Sequence, residues 1–163
     1  MKRVIFGALL AAMATAGSGY AAETWINSTG GVGQAPVLAG YEGVKAMYVC
    51  RAKGIPGKLI RSDKKCYLGY YGKELDFTSF QVLQDPQRRM RWVHKNGAQN
   101  NRLVFGGWEN GIGLWICKVR TNNGEIGGKL VQGSATHILE GGKCYYGYYG
   151  KESVATDFDV LTY

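Results

Sequence analysis

Beyond residue 22 the hydrophobic positions come in short runs separated by glycine-rich polar stretches, and no apolar stripe at helical spacing reaches ten residues. Ala46-Met47-Tyr48-Val49-Cys50 and Leu114-Trp115-Ile116-Cys117 are brief and rich in aromatic and branched side chains, which predicts central strands. Ser79-Phe80-Gln81-Val82 and Asp157-Phe158-Asp159-Val160 alternate polar and apolar residues, the pattern of half-buried strands. Gly30-Gly31-Val32-Gly33, Gly127-Gly128 and Gly141-Gly142 stand where turns are expected. The pattern predicts an all-β protein.

The first residues follow a different rule. Lys2 and Arg3 precede an apolar run from Val4 to Ala16, and Gly17-Ser18-Gly19-Tyr20-Ala21-Ala22 supplies small residues after it. A positive start, an apolar stretch too short for a membrane span and a small-x-small site at Gly19-Tyr20-Ala21 predict a signal peptide over residues 1–21. The remaining chain, 22–163, is then expected to be secreted or periplasmic. No second apolar run approaches the roughly 20 residues of a membrane-spanning helix.

The rest is written twice. Displacing the chain by 67 residues lays Trp25 on Trp92, Gly30 on Gly97, Val37 on Val104, Gly40 on Gly107, Glu42 on Glu109 and Cys50 on Cys117 without a gap. Tyr41 falls on Trp108 and Tyr48 on Trp115, so aromatic character is kept. After the cysteine the second copy runs longer. Gly57-Lys58-Leu59 matches Gly128-Lys129-Leu130, and Cys66 to Glu74 matches Cys144 to Glu152 with eight identities in nine positions. Phe80, Val82 and Leu83 follow onto Phe158, Val160 and Leu161. The repeats span 25–83 and 92–161. Each is too small to bury a core well by itself. Two tandem pseudo-symmetric repeats packed as one β-sandwich-like domain are therefore expected.

Composition refines this reading. The 163 residues carry a formal charge of +8, of which Lys2 and Arg3 leave with the signal peptide. Arg88, Arg89, Arg91, Lys95 and Arg102 form a basic run, but Trp92 inside it begins the second repeat and the first repeat has no counterpart charge. Export and this one-sided distribution exclude nucleic acid as the expected partner, whereas exposed basic residues would steer contact with an anionic envelope surface or acidic glycan. Four cysteines in two equivalent pairs, in an exported chain, predict disulfides. Of three connectivities, Cys50–Cys66 with Cys117–Cys144 closes short loops within each copy and is the expected one; bridges between copies remain open. The cysteine spacings are long and His94 and His137 are not equivalent positions, so no metal site or cofactor is expected.

The ordered set of a Trp near the start of each copy, a Gly-acidic turn, a short aromatic strand ending in Cys, Gly-Lys-Leu, Cys-Tyr-x-Gly-Tyr-Tyr-Gly-Lys-Glu and Phe-x-Val-Leu resembles the DM-nine repeat family, over Trp25 to Leu83 and Trp92 to Leu161. Members occur as tandem pairs, among them bivalve lectins that bind mannose and the N-terminal part of natterin-like toxins. The resemblance implies a tandem β fold and carbohydrate recognition. In the sugar-binding relatives an acidic residue before the aromatic strand and the Lys of the Gly-Lys-hydrophobic turn hold sugar hydroxyls. The matching residues are Glu42 with Lys58 and Glu109 with Lys129, with Glu in place of the usual Asp and a shorter interval in the first copy.

That chemistry stands on its own terms. A carboxylate and an ammonium supply the acceptors and donors that sugar hydroxyls need. An aromatic ring supports the apolar sugar face, and Tyr41, Trp108, Tyr70-Tyr71 or Tyr148-Tyr149 could serve as platform. Equally, retained Glu and Lys can form a structural ion pair, and the tyrosine pairs can be packing residues. Lys73-Glu74 and Lys151-Glu152 read as turn-stabilising. No catalytic residues are expected: nucleophile, zinc-protease and phosphate-loop motifs are missing, and the carboxylate pairs Glu42 with Glu109, or Glu74 with Glu152, read as surface acids rather than a glycosidase couple. The expected function is an exported, lectin-like carbohydrate-binding protein with mannose-type glycans or glycosylated surfaces as partners. The alternative is a non-catalytic structural or protein-interaction module of the cell envelope.

Overall fold

The computed structural model describes residues 23–134 and 136–163; the signal-peptide expectation over residues 1–21 lies outside them. The first copy forms β1 (Thr24–Ser28), β2 (Leu38–Glu42), β3 (Lys45–Ala52), β4 (Ile55–Ile60), β5 (Lys65–Tyr70), β6 (Lys73–Phe77) and β7 (Phe80–Gln84). The second forms β8 (Arg91–His94), β9 (Phe105–Glu109), β10 (Ile112–Thr121), β11 (Gly124–Val131), β12 (Lys143–Tyr148), β13 (Lys151–Ala155) and β14 (Asp159–Thr162). Strand for strand the two sets correspond. Two 3-10 turns, Lys95–Gly97 and Asn100–Arg102, lie between β8 and β9.

Within each copy the strands run antiparallel as a meander, β2 through β6 and β9 through β13. The terminal strands return to the centre: β7 pairs with β3 at Cys50↔Val82, and β14 pairs with β10 at Cys117↔Val160. Then β1 pairs with β7 and β8 with β14. The all-β, pseudo-symmetric fold is as the sequence pattern predicts. Its sheets are not separate layers, however: β6 meets β13 at Lys73↔Lys151 and β2 meets β11 at Glu42↔Gly124. These bridges close an eight-stranded circuit, β2-β3-β4-β5-β6-β13-β12-β11. Closure removes edges that would otherwise present unpaired backbone groups.

The reciprocal contact joins β9 to the first copy, where Trp108 N donates to Gly54 O at 3.0 Å. Glycine makes both meetings feasible. A Cβ on Gly107 would run into the carbonyl of Gly54, and one on Gly124 into the carbonyl of Tyr41. Gly127-Gly128 also does not mark a turn, as the sequence pattern led one to expect; it lies inside β11. A side chain on Gly128 would collide with the carbonyl of Tyr145, and one on its equivalent Gly57 with that of Tyr67, so these positions let neighbouring strands approach closely.

Met47, Ile116, Val119, Ile126, Leu130, Val160 and Leu161 belong to a core that draws on both copies. Leu59, Leu68, Phe80, Val82 and Leu114 build a second cluster. The bridges Cys50–Cys66 and Cys117–Cys144 are both formed, each joining a central strand to the strand two places away in its own copy. Among the described residues no helix is long and apolar enough to cross a membrane.

Candidate carbohydrate-binding site

Strand alternation turns the Lys129 side chain away from solvent, between Ile116 on β10 and Tyr145 on β12. The residue is only 3% exposed. A lysine buried to this degree needs partners for its ammonium, and it has two. Its Nζ lies 2.6 Å from Glu109 Oε2 and 3.3 Å from Glu152 Oε1. The ring centroids of Tyr70 and Tyr145 are 5.5 and 6.0 Å away, within cation–π range. Tyr70 belongs to the first copy, so both repeats build the surroundings of Lys129.

Glu109 ends β9 just before a tight turn at Asn110-Gly111, where both residues take positive φ. Glu109 lines an open depression of about 190 Å³ together with Tyr71, Lys129, Val131, Tyr145 and Glu152. Tyr71 stands at the rim, and its hydroxyl accepts from Asn110 Nδ2 at 3.2 Å. Partial desolvation, the Tyr71 hydroxyl and the Glu109 charge together raise the Tyr70 phenol above its ordinary value.

The first copy is built differently. Lys58 on β4 is 2% exposed, and its Nζ lies 3.3 Å from Glu74 Oε1 and 5.7 Å from the Tyr148 centroid. Among the described residues it forms no ion pair with Glu42. The backbone of Glu42 is engaged with Gly124, and its charge instead bears on Tyr149. That phenol is raised first by its hydrogen bond with Tyr148. Thus Glu109 and Lys129 come together, whereas Glu42 and Lys58 do not. Tyr41 and Trp108 occupy equivalent exposed positions, with Trp108 packed edge-on against Phe105 at 5.1 Å.

Glu152 beside Lys129 and Glu74 beside Lys58 are lysine partners that the sequence pattern assigns to another task. They do stabilise turns, but each the turn of the other copy: Glu152 Oε2 accepts from Gly72 N and Glu74 Oε2 from Gly150 N, both at 2.9 Å. Their second oxygens face the buried lysines. The signal was the Tyr-Gly-Lys-Glu block repeated without change; what it lacked was the direction of the side chain. Among the described residues no group of three or more His, Cys, Asp or Glu could hold a metal ion.

Two interlocked β meanders, with Lys58 paired to one glutamate and Lys129 to two, define a tandem-repeat β protein with a paired-charge depression. The DM9 repeat family model matches residues 41–140, and the chain belongs to that family. In fold it is similar to the crystal structure of the nematode sperm cell motility protein MFP2B, with a TM-score of 0.56 and 16% identity over 85% of this chain. The match spans 43% of that protein's chain, and at this identity it speaks for the fold alone. A search of curated proteins finds no match.

Proposed function

We propose that this is an exported, lectin-like protein that binds carbohydrate of the mannose type at Glu109 and Lys129, with its mature domain over 22–163 and its signal peptide over 1–21. The observation that carries the reading is the 2.6 Å pairing of carboxylate and ammonium between two residues that line an open depression. A sugar with vicinal hydroxyls would donate to Glu109 and accept from Lys129, and its apolar face would rest on Tyr71 or Tyr145. Membership of a family with carbohydrate-binding representatives supports the same reading, and two disulfides are compatible with life outside the cell. The reading assigns no catalytic role to the glutamates. The first copy, with Glu42 and Lys58 apart, would contribute little unless Glu42 reorients.

The test is calorimetric titration with mannose and related sugars, repeated on Glu109→Gln and on Glu109→Ala/Lys129→Ala, with circular dichroism to confirm folding. Binding by the native chain that is lost in the folded variants supports the site. Undiminished binding by both would sink it.

One observation favours a second reading. Lys129 is nearly wholly buried and already held by two glutamates, as a structural ion pair would be. On that reading the protein is a structural or protein-interaction module of the cell envelope, and the titrations stay silent for every glycan.

A further inference from the structure

A second cavity, of about 310 Å³, lies beside the depression just described. Its walls are apolar and aromatic: Ile55, Leu68, Tyr70, Leu75, Phe77 and Trp108. Glu109 lines both this crevice and the smaller depression, and the Asn110–Tyr71 hydrogen bond joins a residue of one to a residue of the other. The two spaces are therefore neighbours, with one carboxylate between them. Trp108 is 60% exposed and is held at the mouth by its amide's bond to Gly54 O. An indole so exposed, facing other apolar walls, is costly to leave against water and well suited to cover a ligand.

Both copies line the crevice, the first through Ile55 to Phe77 and the second through Trp108 and Glu109, and the place related to it by the repeat is built differently. Cys50 pairs with Gly57 but Cys117 with Gly128, so the β10–β11 hairpin is four residues longer than β3–β4. The tip of the longer hairpin folds down on the matching place: Asn123 Nδ2 donates to the hydroxyls of Tyr148 and Tyr149 at 2.7 and 2.8 Å, and Asn123 O accepts from Gly43 N at 2.8 Å. The short hairpin turns at Lys53-Gly54 and leaves the space open. The wall residues differ as well. Leu75 and Phe77 are replaced by Ser153 and Ala155 in the second copy. Fold maintenance would apply to both repeats alike, so Leu75 and Phe77, large and apolar in the first repeat alone, are not residues the repeat fold itself demands.

We propose that the crevice takes the apolar substituent of a glycoside whose sugar sits on Glu109 and Lys129, making the ligand an amphiphilic glycoconjugate bound once per chain. The proposal rests on the sugar-site reading and adds the class of ligand to it. Sugar hydroxyls meet the charged pair; an aryl or alkyl group attached to the sugar passes Glu109 and enters between Trp108 and Phe77. Lys53 and Asn110 add polar groups to an otherwise apolar lining, which suits a ligand with both kinds of surface.

The test is calorimetry on the full exported chain with methyl and 4-nitrophenyl glycosides of mannose, glucose, galactose and N-acetylglucosamine. For the sugar that binds, the nitrophenyl glycoside is expected to bind at least about tenfold tighter than the methyl glycoside, since burial of a ring is worth that much. Its stoichiometry is expected to be one. Leu75→Trp fills the crevice from a strand position outside the sugar site; it is expected to remove the tenfold increment and leave methyl glycoside affinity unchanged, which also reports that the variant folds. Equal affinities for the two glycosides overturn the crevice proposal and leave the sugar site standing. An increment that persists in Leu75→Trp overturns it too. No binding of any glycoside overturns the sugar-site reading and this proposal with it.

Discussion

Glu74 and Glu152 hold equivalent places in the two repeats, and each reaches across to close the other's turn: Glu74 accepts from Gly150 N and Glu152 from Gly72 N, both at 2.9 Å. The same carboxylates hold the buried ammonium groups, Glu74 that of Lys58 and Glu152 that of Lys129. Turn, ion pair and contact between copies are thereby one network, and its two halves are unequal. Lys129 has Glu109 as a further partner, at 2.6 Å.

Glu74→Ala is therefore expected to destabilise more than Glu152→Ala. The first leaves a 2% exposed lysine without a paired carboxylate, a loss of about 3–5 kcal/mol. The second leaves Lys129 paired to Glu109 and forfeits chiefly the Gly72 hydrogen bond, about 1–3 kcal/mol. Urea denaturation of the two variants checks the order. Equal losses would mean that Glu109 contributes nothing to holding Lys129.

Gly107→Ala is expected to cost more than Gly72→Ala, although both positions have positive φ. At Gly72 an added Cβ meets open space, so only backbone strain is felt, roughly 1–2 kcal/mol. At Gly107 the Cβ meets the Gly54 carbonyl, which itself accepts from Trp108 N, so the meeting of β9 with the first copy has to give way. Thermal denaturation compares the two, and Gly107→Ala should also loosen Trp108, seen as a red shift in its fluorescence.

Alkaline pH is expected to weaken the fold. Burial, the hydrogen bond to Asp63 at 3.1 Å and the charges of Asp63, Asp76 and Glu74 push the Tyr67 phenol up to about 12 from 10.0. The folded state thus holds this proton more tightly than the unfolded chain does. The stabilisation is complete below pH 10 and is lost as pH rises through about 12. Denaturation midpoints measured between about pH 10 and pH 12 should fall, and Tyr67→Phe should flatten the slope.

Removing either disulfide is expected to cost about 2–4 kcal/mol, because each closes a loop in the unfolded chain. The Cys117–Cys144 bridge spans 27 residues against 16 for Cys50–Cys66, so its loss should cost slightly more. Paired Cys→Ala variants in chemical denaturation measure both.

Much of the fold is legible in the chain itself. The strands around Met47 and Ile116 were readable because runs of branched and aromatic residues between glycines leave few alternatives. The within-copy disulfides followed from cysteines at equivalent positions near each other in the chain. The adjacency of Glu109 and Lys129 was readable through family resemblance; Glu42 and Lys58 hold equivalent places in the register, but the longer β10–β11 hairpin engages Glu42 at Gly124 and Glu74 pairs with Lys58. Gly127-Gly128 misled for a general reason: sequence pattern does not tell a glycine that bends the chain from one that lets a neighbouring strand come close.

The sequence by itself determined what is local or repeated: a β pattern of period two, a unit written twice, and cysteines paired within each unit. These depend on neighbours in the chain and on comparing the chain with itself. It took the packed chain to make the copies interlock in a closed circuit, to let Glu74 and Glu152 exchange partners across 76 and 80 residues, and to bring the tip of the longer hairpin onto Tyr148 and Tyr149. Those outcomes turn on angstrom-scale distances between segments far apart in the chain, and a pattern of residue types carries no measure of them.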